Sequence, residues 1–357
     1  KRGMRRLVNY MRRGRKQTVI LAMLALCCGC TASDHDPEVA LGVRYDNDSE
    51  FRRARLVGSL VNPDNLYSNA RLEHYNETGW GALPVWSPPG FEDIESIAWE
   101  RNALLALGER AFGSYPVQLF PALAQGLDEP HKYGIYGGIV QVETSTGQIP
   151  GLTCAACHSA PATPNGPIVP GLNNADFDLD GMLRASRSLP PQNGWGAGRV
   201  DVTNDGFENP TAIPDIRSVR HQTHLHRAGT VRNGLVELAI RTETLIITSL
   251  GRQLRPPRKL SFALALYIWN LAPPTPGTRP IAFESACADC HGSSGLAGPP
   301  IQLGIVGTDT AVAMSPSRTT GSWKVPSLLG AGQRRNIMAS GQIRDLRHLL
   351  DASRSVP

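Results

Sequence analysis

Two pentapeptides, Cys154-Ala-Ala-Cys157-His158 and Cys287-Ala-Asp-Cys290-His291, carry most of what this chain says about itself. Cys-x-x-Cys-His is the attachment pattern of a c-type haem, in which two thiols add to the porphyrin vinyl groups and the adjacent imidazole becomes the proximal iron ligand. The other chemistries open to such thiols are zinc, which needs four ligands converging on one ion, and a redox dithiol. Here the pentapeptides lie 133 residues apart, each has its own histidine, and no further cysteine follows Cys30. Two covalently bound haem c groups are therefore expected, held by Cys154, Cys157, Cys287 and Cys290, with His158 and His291 as iron ligands.

The formal net charge of +5 is concentrated at one end. Residues 1–29 hold eight Lys and Arg and no acid, and the rest of the chain carries 28 basic and 31 acidic residues. A body that is slightly acidic gives no footprint for nucleic acid, so none is expected as a partner. The basic stretch 1–16, the apolar run Val19–Leu26 and the small residues after it make the three parts of a secretory signal peptide over 1–29. The apolar run is too short to span a bilayer well. Its end, Leu26-Cys27-Cys28-Gly29-Cys30-Thr31, resembles a bacterial lipobox, which makes Cys30 the expected acylated residue and the attachment to the membrane. Ordinary cleavage and soluble export is the alternative. Both place the protein in the periplasm or outer envelope of a bacterium, an oxidising compartment, yet the motif cysteines leave no pair for a structural disulfide.

Composition then divides the body. Residues 30–92 are rich in Asp, Asn, Gly and Pro and read as a tether and wrapping loop segment. Apolar residues recur at helical spacing from Ile94 to Phe112, from Gly234 to Leu250 and from Leu260 to Leu271, whereas 159–209 reads as loop. The run Pro273-Pro274-Thr275-Pro276-Gly277 breaks the chain, which sets a first haem domain at 93–274 and a second at 275–357. Pro357 is not an evident ending, and a C-terminal continuation is expected. The fold class expected is mainly α: two tandem cytochrome c-type haem domains with long loops, behind a signal and tether segment.

An internal repeat supports the tandem reading. Residues 214–233 align without gaps on 326–345 at an offset of 112, matching Pro214 with Pro326, Ile216 with Leu328, Leu225 with Ile337, Gly229 with Gly341, Val231 with Ile343 and Arg232 with Arg344. Each copy follows one haem motif, and His226 falls opposite Met338. Histidine and methionine are common sixth ligands of low-spin haem iron, so these two are the candidate distal ligands. His221 and His224 compete with His226, and Met314 with Met338.

The paired motifs, the segment Gly321-Ser-Trp-Lys-Val-Pro-Ser-Leu328 and the Gly341 turn resemble the di-haem cytochrome c family that includes bacterial cytochrome c peroxidases, over roughly residues 94–357. Peroxidase members carry His-Asp-Gly at that turn, where this chain has Ala339-Ser340-Gly341. The family also binds calcium between its domains, which draws notice to Asp176-Phe-Asp178-Leu-Asp180-Gly181. That stretch opens like a calcium loop, with Arg187 standing where the bidentate Glu belongs. The expected function is electron transfer in the cell envelope to and from redox partner proteins, with no catalytic residue required. The alternative is a di-haem peroxidase-like oxidoreductase with one open haem site.

Overall fold

Three helices build the main core: α1 (Arg101–Ser114), α4 (Leu235–Ser249) and α5 (Arg258–Asn270). Residues described in this computed structural model are 83–121, 130–145, 147–185, 194–201, 208–251, 253–275, 279, 281–314 and 320–351. All of them belong to one compact unit. The signal segment, Cys30 and all of the tether before residue 83 lie outside the described residues.

The three expected helices form close to where their periodicity places them, with one difference. The stretch from Ile94 does not run continuously into α1. Ile94–Ser96 is a single 3-10 turn, Ile97 and Glu100 are extended, and the helix starts at Arg101. Helix α5 lies between α1 and α4 and is buried almost all round, through Leu260, Phe262, Ala263, Leu264, Ala265 and Leu266. A helix without a polar face needs neighbours on every side. Here α1 supplies Leu104, Leu107, Ala111 and Phe112, and α4 supplies Leu235, Leu238, Ala239 and Ile246. The residues ahead of α1 contribute Phe91 and Ile94, and the Tyr115 hydroxyl donates to the Trp86 carbonyl at 2.9 Å.

Between and after these helices the chain departs from expectation. Eleven short strands and six further short helices fill the described residues, among them α2 (Cys154–Cys157), α3 (Leu179–Ala185), α6 (Ile281–Ala286) and α7 (Ala288–His291). The fold is mixed α/β, which corrects the mainly α class. The largest sheet orders its strands β1 (Gln118–Leu119), β3 (Gly147–Leu152) and β2 (Ile139–Thr144), all antiparallel. Two-stranded ribbons join β4 (Ser159–Pro161) to β5 (Ile168–Pro170), β6 (Arg199–Val200) to β7 (Thr211–Ala212), β8 (His224–Leu225) to β9 (Val231–Arg232), and β10 (Gly298–Gln302) to β11 (Ser322–Val325). The reason they escape a periodicity reading is length. Seven of the eleven have only two or three residues, and β3, β4, β5 and β10 carry Pro where a regular strand would alternate. Only Val140-Gln-Val-Glu in β2 shows a legible two-residue period, with Val142 buried and Glu143 exposed.

One buried cation fixes how the residues just ahead of α1 meet the core. Lys259, at the start of α5, is only 6% exposed. Its Nζ donates to the carbonyls of Glu95 (2.8 Å) and Ile97 (3.2 Å), and it lies 5.6 Å from the Trp99 ring centroid. The ammonium thus closes the end of the 3-10 turn, where carbonyls have no partner of their own. Lys259→Met keeps the packing stem and strands both carbonyls. It is expected to destabilise the protein by about 1–3 kcal/mol in denaturant unfolding, with the exposed Lys132→Met as the neutral control.

Candidate haem sites

The first motif is held from three directions. Thr153 caps α2, its hydroxyl accepting the Ala155 N–H at 3.3 Å. The Asn174 side chain donates to the carbonyls of Ala156 (2.9 Å) and Gly134 (2.8 Å), while its backbone N–H donates to the Cys157 carbonyl at 2.9 Å. From the third side comes Gly138, the residue before β2, whose carbonyl accepts the Thr153 N–H at 2.8 Å. Gly138 sits at φ +84°, and a Cβ there would stand 2.3 Å from the Ala156 nitrogen. Cys154 packs on the helical core and Cys157 on a second cluster that includes Phe177, Leu179 and Met182. The motif is therefore the seam between two cores.

The second motif is built more lightly. Cys287 stands between α6 and α7, and neither helix buries a residue. Close backbone approach from a strand recurs, however, because a Cβ at Gly298, the first residue of β10, would lie 2.1 Å from the Cys290 carbonyl oxygen.

Both histidines have their rings oriented by backbone. The His158 Nδ1 lies 3.0 Å from the Pro214 carbonyl, and the His291 Nδ1 lies 2.9 Å from the Leu296 carbonyl. The Pro326 carbonyl lies near enough to the same ring to pull its pKa upward, against the larger effect of burial. A carbonyl only accepts, so each Nδ1 carries the proton and each Nε2 is left as the metal-binding nitrogen. Metal-bound histidines are normally oriented in this way. Burial pushes the His158 pKa down to about 4, against the pull of the Pro214 carbonyl and the Asp215 charge, so the ring is neutral and able to ligate. Burial also pushes the Cys154 and Cys157 thiols up to about 12, which disfavours the thiolate that zinc or disulfide exchange would use.

Cys154, Cys157 and His158 are each half-buried. Arg227 and Lys324 share that state. Burial lowers Arg227 to about 10 and, with the nearby Arg227 and Arg334 charges, Lys324 to about 7. A bound carboxylate would offset both costs, and haem carries two. The donor set and these cations fit the group that the motifs imply.

The repeat is geometric as well as sequential. The 3-10 turns Val219–His221 and Ala331–Gln333 are 112 residues apart, and so are the bonds Gln222 N to Val219 O and Arg334 N to Ala331 O, both 3.1 Å. Leu225 pairs with Val231 as Ile337 pairs with Ile343. His226 and Met338 are both left-handed, at φ 59° and 69°, and Gly229 and Gly341 follow at 62° and 70°. The two copies also grip each other. The Ala212 N–H donates to the Ala339 carbonyl at 3.0 Å, and the Lys324 N–H donates to the Arg227 carbonyl at 2.7 Å. These bonds interchange when 112 is added to 212 and 227. Arg227 also donates to the Met338 carbonyl at 3.2 Å, so the turns bearing the two candidate distal ligands lie against each other.

Other expected residues have protein partners. The His226 Nδ1 bonds the Thr230 hydroxyl. His224 bonds the Thr223 hydroxyl at 3.1 Å, and His221 accepts from Arg220 at 3.2 Å. The three carboxylates of the calcium-like stretch diverge: Asp176 takes Tyr136 and Arg335, Asp178 accepts the Gly181 N–H, and Asp180 pairs with Arg184. Arg187 lies outside the described residues. Among those described, no three His, Cys, Asp or Glu gather as an ion site. Missed from sequence were the Pro214 and Pro326 carbonyls, although the two prolines open the repeat, and the pair Asp215 and Arg334.

Gly138→Ala combines a disfavoured φ with a clash against α2. It is expected to lower the midpoint of thermal unfolding followed by circular dichroism, whereas Gly137→Ala, where a Cβ meets open space, is expected to leave it near the wild-type value. Comparison with family models, curated proteins and solved structures returns no match for this chain.

Proposed function

We propose that this chain is an exported di-haem c-type cytochrome that transfers electrons in the cell envelope, lipid-anchored at Cys30, and related to the di-haem cytochrome c family. The observation that carries the reading is the matched treatment of the two histidines. Each follows a Cys-x-x-Cys, each has Nδ1 bonded to a backbone carbonyl, and each meets the carbonyl of the proline that opens its copy of the repeat. A zinc site or a redox dithiol gives no reason for that correspondence.

Bound haem would supply a one-electron store at each iron. The chain does the rest. Cys154, Cys157, Cys287 and Cys290 would fix the porphyrins covalently, and His158 and His291 would present Nε2 from oriented rings. His226 and Met338 would close the distal sides, methionine favouring a higher potential than histidine. Arg227 and Lys324 would face carboxylates. Electron transfer needs no substrate pocket, and its partners would be other redox proteins.

The test is the mature protein itself. Two covalent haem additions by mass spectrometry, with colour retained after acid-acetone extraction, are expected. A chain carrying one or none overturns the reading. In the loaded protein, Met338→Ala is expected to abolish the sulfur-to-iron charge-transfer band, whereas Met314→Ala, at a side chain 62% exposed, leaves it intact. A high-spin, peroxide-reactive iron in the wild type would replace electron transfer by the peroxidase-like reading.

A further inference from the structure

The two proximal prolines are each followed by a residue of the same small network. Asp215 follows Pro214, and its carboxylate is 1% exposed. It accepts from Arg217 at 2.7 Å and 3.1 Å and from the Arg334 Nε at 3.1 Å. Ser327 follows Pro326, and its carbonyl accepts from Arg334 at 2.6 Å. A continuous chain of contacts thus runs from the His158 ring through Pro214, Asp215, Arg334, Ser327 and Pro326 to the His291 ring. Its ends are chemically unequal. The repeat places Ser327 where the first copy has Asp215, and Gln222 where the second has Arg334.

Resting on the di-haem reading, we propose that Asp215 and Arg334 are positioning residues that set the two haems at different potentials, the carboxylate lowering the first and the guanidinium raising the second. The signs follow from charge. Oxidised haem iron carries one more positive charge than reduced, so a carboxylate one residue from the carbonyl that holds His158 favours the oxidised form. A cation bonded one residue from the carbonyl that meets His291 favours the reduced form. Burial keeps both effects from being screened away. Arg217, at 3% exposure, binds Asp215 from its own copy of the repeat and so holds the carboxylate ionised without being part of the link. The arrangement would order electron flow from the first haem to the second.

The experiment is a potentiometric titration of the loaded protein, each potential assigned to its motif with a Cys287→Ala, Cys290→Ala protein that keeps the first haem alone. Asp215→Asn is expected to raise the first potential by about a tenfold change in the oxidised-to-reduced ratio, about 59 mV for one electron. Arg334→Gln is expected to lower the second by a similar factor, and Arg334→Lys to leave it within threefold of the wild type. Should Asp215→Asn fail to fold, the Arg334 pair decides: equal potentials in the Gln and Lys proteins overturn the proposal. So do unshifted potentials in Asp215→Asn and Arg334→Gln proteins that retain two haems. A protein without two covalent haems would instead fail the di-haem reading, before any potential is measured.

Discussion

A carboxylate almost wholly removed from water governs how the two halves of this protein meet. Taken alone, the burial of Asp215 would push its pKa up, but the hydrogen bonds of Arg217 and the charges of Arg334 and Arg217 outweigh that and hold it below the usual carboxylate range. The pairing with Arg217 is forked, two nitrogens on two oxygens, which is the strongest geometry open to such a pair. A buried ion pair of this kind is poor evidence of net stability, because desolvation offsets most of the attraction. What it supplies is uniqueness. Arg334 also donates to the carbonyls of Ser327 and Leu329 and to the Ser218 hydroxyl, and no shifted docking of the two copies would satisfy that set.

Around that point the copies exchange support. The second half has little apolar interior of its own: its cluster of Val312, Ala313, Trp323 and Ala339 includes Ala228 from the first copy. The Thr320 hydroxyl donates to the Ala228 carbonyl at 2.7 Å, and the Thr223 hydroxyl to the Gly298 carbonyl at 2.7 Å. In the other direction the Asn173 side chain donates to the Arg335 carbonyl at 2.6 Å. The turns carrying His226 and Met338 are thus shaped by the partner half as much as by their own. Their left-handed backbones, unusual for such side chains, are held by contacts on both sides.

Much of the candidate site could be read from the chain, because covalent attachment demands fixed spacing and a repeat survives as aligned residues. The long helices were legible for the same kind of reason: Leu104, Leu107 and Ala111, or Leu235, Leu238 and Leu245, recur with the turn of a helix. The ribbons were not. Thr211 and Ala212 make a strand only because Arg199 and Val200 lie beside them, and nothing in two residues announces a partner eleven to thirteen positions away. Electrostatics was hidden more deeply. Asp215 and Arg334 are ordinary charges in sequence, and their meaning depends on a distance that only folding creates. Pro214 and Pro326 were visible as a match, yet the working group is the carbonyl, which every residue has.

The exchanged bonds between Ala212 and Ala339 and between Lys324 and Arg227 have the form of an isologous contact, in which patch i meets j and j meets i. Such a relation is what a symmetric homodimer of a shorter, single-motif chain would show, had its two subunits later been joined by the segment containing Pro273. In that ancestor any substitution would have appeared twice. A carboxylate facing a guanidinium across the axis would have been mirrored, leaving the two halves equal. Within one chain Asp215 can be paired with Arg334 while Ser327 and Gln222 stay neutral, so the two halves are free to differ where two identical subunits would not be.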